Sequence, residues 1–157
     1  MPILTAAPLW VWPLLALLMV LGLRSRQERT LPMAVVYLLP AIGLLTLPTL
    51  LALPHAVVAL AAHVVAYGAG AATGYRLQGR WLLAKRDGRV RIAGENLTLV
   101  GMMTLFSAKF VHGSTMAAAP AAISSGAYGM AFAAVTGLAA GLLGGRALRT
   151  VLAPRTA

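Results

Sequence analysis

Residues 76–95 read RLQGRWLLAKRDGRVRIAGE, with six basic side chains and two acidic ones. On either side lie long apolar stretches, near residues 55–74 and 97–113. A short basic segment between two apolar ones is the pattern of a loop held on the cytoplasmic side of a membrane, since short loops rich in Lys and Arg stay there. Inside the segment, Trp81–Ala84 and Arg89–Ile92 are β-compatible and flank Lys85-Arg86-Asp87-Gly88. Asp-Gly between two such runs is a hairpin signal, so a small basic hairpin is expected there, with an irregular basic loop as the alternative.

The same alternation extends both ways. Of the 13 Lys and Arg residues, twelve fall into three clusters: Arg24, Arg26 and Arg29; the six just quoted; and Arg146, Arg149 and Arg155. Lys109 stands alone in an apolar stretch. Between the clusters, five apolar spans are expected near 7–23, 31–53, 55–74, 97–113 and 121–143, each suited to a hydrocarbon core of about 30 Å. Placing the basic clusters inside puts the N-terminus outside and the C-terminus in the cytoplasm. The expectation is an all-α membrane bundle of five transmembrane helices, one domain over residues 1–157, with the hairpin between the third and fourth. Trp10 and Trp12 fall at the outer end of the first span, where indole rings favour the interface. No basic residue precedes that span, which reads as an uncleaved anchor rather than a signal peptide.

Composition agrees with lipid as the solvent. The chain is 60% hydrophobic and 10% charged, against roughly 25% charged in soluble domains. The net charge of +10 is explained by orientation, with anionic headgroups at the cytoplasmic face as the expected partner and no nucleic acid. There is no cysteine, which removes disulfides and thiolate chemistry.

Proline and glycine supply finer expectations. Pro32 suits a first helical turn, Pro40 and Pro48 should kink the second span, and Pro54 and Pro120 should start the third and fifth. Asn96 is expected to cap the fourth. Gly129, Ala133, Gly137, Gly141 and Gly145 recur every four residues, as do Ala62, Ala66, Gly70 and Gly74. Small residues at that spacing share a helix face and let two backbones approach closely. They would pack within the chain, the third span against the fifth, or form a homo-oligomer or partner-subunit interface. A weak internal repeat relates the two halves through Tyr67-Gly68 and Tyr128-Gly129, in the manner of parallel transporter repeats.

Ionisable residues within spans are functional candidates by default. At about 1.5 Å per residue, Lys109 lies roughly 20 Å and His63 roughly 18 Å from the inner end. His112, three residues on, faces the same way as Lys109. A polar site in the outer half, built from Lys109, His63 and His112, would bind or transport a small anionic or amphipathic ligand. Its counter-charge would come from a ligand, a lipid headgroup or a partner subunit, because Glu28, Asp87 and Glu95 all lie in the basic segments. The alternative for Lys109 is snorkelling to the interface; for His63 it is a helix-to-helix hydrogen bond. Haem or metal binding by His63 and His112 is a further alternative, though no ligand-spacing motif is present, and no cofactor is expected. No paired carboxylates, activated nucleophile or phosphate-cradling loop points to an enzyme. The remaining alternative is an accessory membrane subunit packing through its glycine stripes.

Several short motifs carry a resemblance: Pro8-Leu9-Trp10-Val11-Trp12, Leu21-Gly22-Leu23-Arg24, Gly74-Tyr75-Arg76, Lys109-Phe110-Val111 and Gly145-Arg146-Ala147-Leu148-Arg149. With these the chain resembles an uncharacterised family of small bacterial integral-membrane proteins, loosely like the CcdC-type proteins. The resemblance implies a multi-pass protein of the bacterial inner membrane with no assigned activity.

Overall fold

The computed structural model describes Leu9 and residues 11–154. The expectations for Ala7, Trp10 and Arg155 fall outside that range. Helix makes up 76% of the structure. In chain order the elements are α1 (Val11–Arg24), β1 (Arg29–Pro32), α2 (Met33–Leu44), α3 (Leu47–Leu51), α4 (Ala56–Trp81), β2 (Leu82–Arg86), β3 (Arg89–Ile92), α5 (Leu97–Ala118), α6 (Pro120–Ile123) and α7 (Gly126–Leu152).

Among the described residues, two helices, α4 and α7, are both long and apolar enough to cross a membrane. The other expected spans differ from simple crossing helices for local reasons. The segment at 31–53 is split. Leu31 and Pro32 pair in a strand, so Pro32 precedes the helix instead of sitting in its first turn. Pro40 is accommodated inside α2, and the helix stops four residues later. Pro48 opens α3 in its first turn, where its missing N–H costs nothing. At the break, the Thr46 hydroxyl donates to the Gly43 carbonyl (2.7 Å). The 55–74 segment overshoots: α4 runs on to Trp81. Pro120 starts only the single turn of α6. Ser125 then caps α7, its Oγ accepting the Tyr128 N–H at 3.2 Å, and α7 continues to Leu152. Asn96 makes no side-chain cap on α5. The preceding carboxylate does so instead: Glu95 accepts the Thr98 N–H at 2.9 Å. An acceptor carrying full negative charge is the better partner for a helix N-terminus.

The hairpin forms at the expected place. Asp87 (φ 49°) and Gly88 (φ 70°) turn the chain, both left-handed as a two-residue type I′ turn requires. A third strand joins it, in the order β1-β3-β2, all antiparallel. Val90 and Ile92 point inward and pack with Val36 of α2 and Ala147 of α7, while Arg89 and Arg91 point out. β1 escapes sequence reading because its four residues, Arg29–Pro32, fall below any usable periodicity.

Contact pairs fix the helix directions. Ala59 meets Gly129, His63 meets Ala133, Ala66 meets Gly137 and Gln78 meets Arg146, so α4 and α7 run parallel. Gly43 meets Ala140 and Val36 lies with Ala147, so α2 runs against α7. Gly101 meets Leu143 and His112 meets Tyr128, so α5 does too. Gly22 meets Leu99 and Ser25 meets Glu95, setting α1 against α5. The direction therefore alternates from α1 through α2–α3, α4, α5 and α7.

The small-residue stripes of α4 and α7 face each other. A Cβ at Gly141 or Gly145 would land on the carbonyl oxygens of Tyr67 and Ala71, and one at Gly137 would lie 2.6 Å from the His63 oxygen. Reciprocally, a Cβ at Gly70 or Gly74 would strike the carbonyls of Leu138 and Leu142. At Gly129 the nearest atom, Leu53 Cδ1, is 3.7 Å away, an ordinary contact. The two helices therefore touch backbone to backbone toward one end and separate toward the other.

Candidate functional site

Between the tight contact at Gly137 and the looser one at Gly129, side chains also join α4 to α7. His63 is buried and donates Nδ1–H to the Ala133 carbonyl of α7 (3.2 Å), with the Thr136 hydroxyl at 3.4 Å. This is the helix-to-helix bond left open as its alternative. His112 of α5 is hydrogen-bonded through Nδ1 to the Tyr128 hydroxyl (2.9 Å) and stacks obliquely on Phe132, ring centroids 5.0 Å apart. Both histidines thus lean on the first three turns of α7, one from each side. Lys109 points elsewhere: its ammonium donates to the Thr49 hydroxyl of α3. The three residues expected to share a site instead engage three different partners. Ala133, Gly137, Gly141, Gly145, Gly70 and Gly74 lie in the α4–α7 seam. Among the described residues, no group of three or more His, Cys, Asp or Glu side chains is placed to hold a metal.

Beside the His112–Tyr128 pair, an open groove of about 620 Å³ runs between α5 and α7. Val100, Met103, Val111, Ala131, Phe132 and Val135 supply its apolar walls, and Tyr128 also lines it. On α5 the lining positions Val100, Thr104, Ser107 and Val111 recur at three- and four-residue steps, one face of the helix. Lys109 is not among the lining residues. Position by position, this groove is invisible in the sequence, since each wall residue reads as an ordinary core or lipid-facing side chain.

A second polar assembly occupies the opposite end. Arg146 of α7 is 3% exposed. Its guanidinium donates to Gln78 Oε1 (2.8 Å), Thr98 Oγ1 (2.8 Å) and Glu95 Oε1 (2.9 Å), and lies over the Trp81 ring at 5.5 Å. Burial pushes the Glu95 carboxyl up, but the Arg146 charge and the hydrogen bonds from Thr98 and Arg146 outweigh it and hold the pKa below its ordinary value. Arg29 is shifted down, by burial first and by Arg146, with Glu95 acting against both. The sequence places Arg146 and Glu95 only as members of the basic segments. The signal available is that Arg146 follows one apolar stretch and Glu95 directly precedes another, which puts both within reach of the bundle.

The basic segments gather at this end. Arg91 pairs with Glu28, Arg149 donates to the Tyr75 hydroxyl (3.2 Å), and Lys85 donates to the Val151 and Ala153 carbonyls (2.6 and 3.0 Å), capping the C-terminus of α7. No family model, curated protein or solved structure matches the chain.

Proposed function

We propose that this chain is a multi-pass protein of the bacterial inner membrane, with five crossing segments, its basic end in the cytoplasm and its N-terminus outside, and that it holds an amphipathic ligand in the α5–α7 groove. The alternating helix directions support the crossing pattern, as does the collection of the basic segments at one end. Large apolar side chains face outward around the helices, including Val57 at 81%, Val65 at 75% and Leu38 at 66% exposure. Such surface is tolerable against lipid and not against water.

One observation carries the ligand reading: the groove is mostly apolar, with Thr104 and Ser107 its polar positions on α5, and its lining includes Tyr128, which is hydrogen-bonded to His112. That arrangement suits an acyl chain with a polar end near Tyr128. The α4–α7 stripes are occupied within the chain, so an accessory role through them would have to displace that packing.

Native mass spectrometry of the gently solubilised protein tests the ligand. The wild type should carry a discrete adduct, and Ala131→Trp, which fills the groove, should remove it. A bare wild type, or an adduct that survives Ala131→Trp, would overturn the groove. An adduct lost only in Lys109→Met would move the site to the Lys109–Thr49 side.

A further inference from the structure

We propose that the outward face of the β1-β3-β2 sheet is a docking surface for the phosphates of anionic lipid headgroups. The strand alternation separates two faces. Val90 and Ile92 are buried against α2 and α7, while Arg89 and Arg91 are exposed. In the β2–β3 ladder, Arg86 stands directly opposite Arg89. Like charges directly opposite on one sheet face destabilise the pair, and the nearest relief is Asp87, 3.7 Å from Arg86 with both side chains largely exposed. An exposed pair of that kind contributes little. Arg91 already has Glu28. The cross-strand arginines therefore favour an external anion.

Their surroundings have the same sign. Arg24, Arg26, Arg76 and Arg80 are also exposed, whereas among the described residues the exposed acidic side chains at this end are Glu28 and Asp87, Glu95 being buried against Arg146. The sheet packs on α2 and α7 through Val36 and Ala147, and Lys85 of β2 reaches the last carbonyls of α7, so its arginine face is turned away from the basic end of the bundle. β2 follows α4 with no linker and β1 runs straight into α2, so the face is held rigidly beside the helices. In a protein that crosses the membrane, a reading on which this inference rests, that is where the inner-leaflet headgroups lie. Single-stranded nucleic acid would need stacking platforms; this face has no exposed aromatic residue among the described positions of its strands.

The test uses full-length protein in detergent micelles with equimolar phosphatidylglycerol and phosphatidylcholine of identical chains, bound lipid being counted by native mass spectrometry. The wild type should prefer phosphatidylglycerol. Arg86→Gln with Arg89→Gln should lower that preference by roughly fivefold per arginine, the ratio equivalent to about 1 kcal/mol per surface charge. Arg86→Lys with Arg89→Lys should retain it. Equal wild-type binding of the two lipids, or an unchanged ratio in the glutamine variant, would overturn the dock, as would an equal loss of both lipids. Ala131→Trp should leave the ratio untouched, which separates this surface from the groove. Failure of the wild type to enter vesicles of either lipid would overturn the membrane reading and this dock together.

Discussion

Glu95 surrenders its hydration to sit against Arg146, and the exchange holds because every polar atom of the pair is occupied. Arg146 donates to three separate side-chain acceptors, and Glu95 accepts from Arg146 and Thr98. Removing one partner strands the other, at about 3–5 kcal/mol for a buried pair. Arg146→Met should therefore lower thermal stability by that order, and Glu95→Gln by less, because the amide oxygen still accepts. Arg146→Met combined with Glu95→Leu should recover part of the loss, measured by a double-mutant cycle. The pH dependence has a definite sign. The folded pKa of Glu95 lies below the ordinary 4.5, so its contribution is complete above that value and is lost as pH falls through the folded pKa. Acid melting curves should show this loss for the wild type and little of it for Glu95→Gln. Lys109 poses the opposite case. Its ammonium meets the neutral Thr49 hydroxyl, and no acidic residue lies outside the basic segments. An ammonium so placed is costly in a bilayer, so Lys109→Met should leave the melting temperature unchanged or raise it. A fall of several degrees would make Lys109–Thr49 a structural bond.

The α4–α7 pair rests on backbone proximity that only glycine permits. Gly141→Leu would drive a side chain onto the Tyr67 carbonyl, an overpacking that costs about 1–3 kcal/mol or more where backbone cannot yield. Gly129→Ala, with only ordinary contacts around it, should be mild. Comparing the two by thermal unfolding in detergent tests whether the helices converge as described; equal effects would contradict it. How far such features can be read from residues alone depends on range. The hairpin was legible because Asp87-Gly88 is a local signal, and the stripes because a period of four survives in one dimension. The groove was not, since it arises from how α5 and α7 pack, which no pattern along either helix announces. The burial of Arg146 was not either, because charge near a helix end reads as loop until its partners Gln78, Thr98 and Glu95 are known. Lys109, His63 and His112 stand out in the sequence as polar residues within apolar stretches, but depth along a helix says nothing of azimuth. It is azimuth that sends Lys109 to α3 and the histidines to α7.

At the scale of the whole molecule, the helix directions and the charge distribution constrain each other. The segments joining α1 to α2, α4 to α5 and the end of α7 lie together, through Ser25 with Glu95, Arg91 with Glu28 and Arg146 with Glu95. The joints α3–α4 and α6–α7 lie at the other end and carry no Lys or Arg. A water-soluble bundle has no reason to segregate its cations in this way, whereas a bilayer does. The absence of cysteine makes a direct measurement possible, since one introduced thiol is the only target. Ser124, at the α6–α7 joint, and Gln27, between α1 and β1, are both exposed. In intact spheroplasts a membrane-impermeant maleimide should label Ser124→Cys at once and Gln27→Cys only after permeabilisation. Labelling of both without permeabilisation would mean that the apolar surface is covered by something other than a bilayer. The reverse pattern would place the arginine-rich sheet outside, where the positive-inside bias gives no account of it.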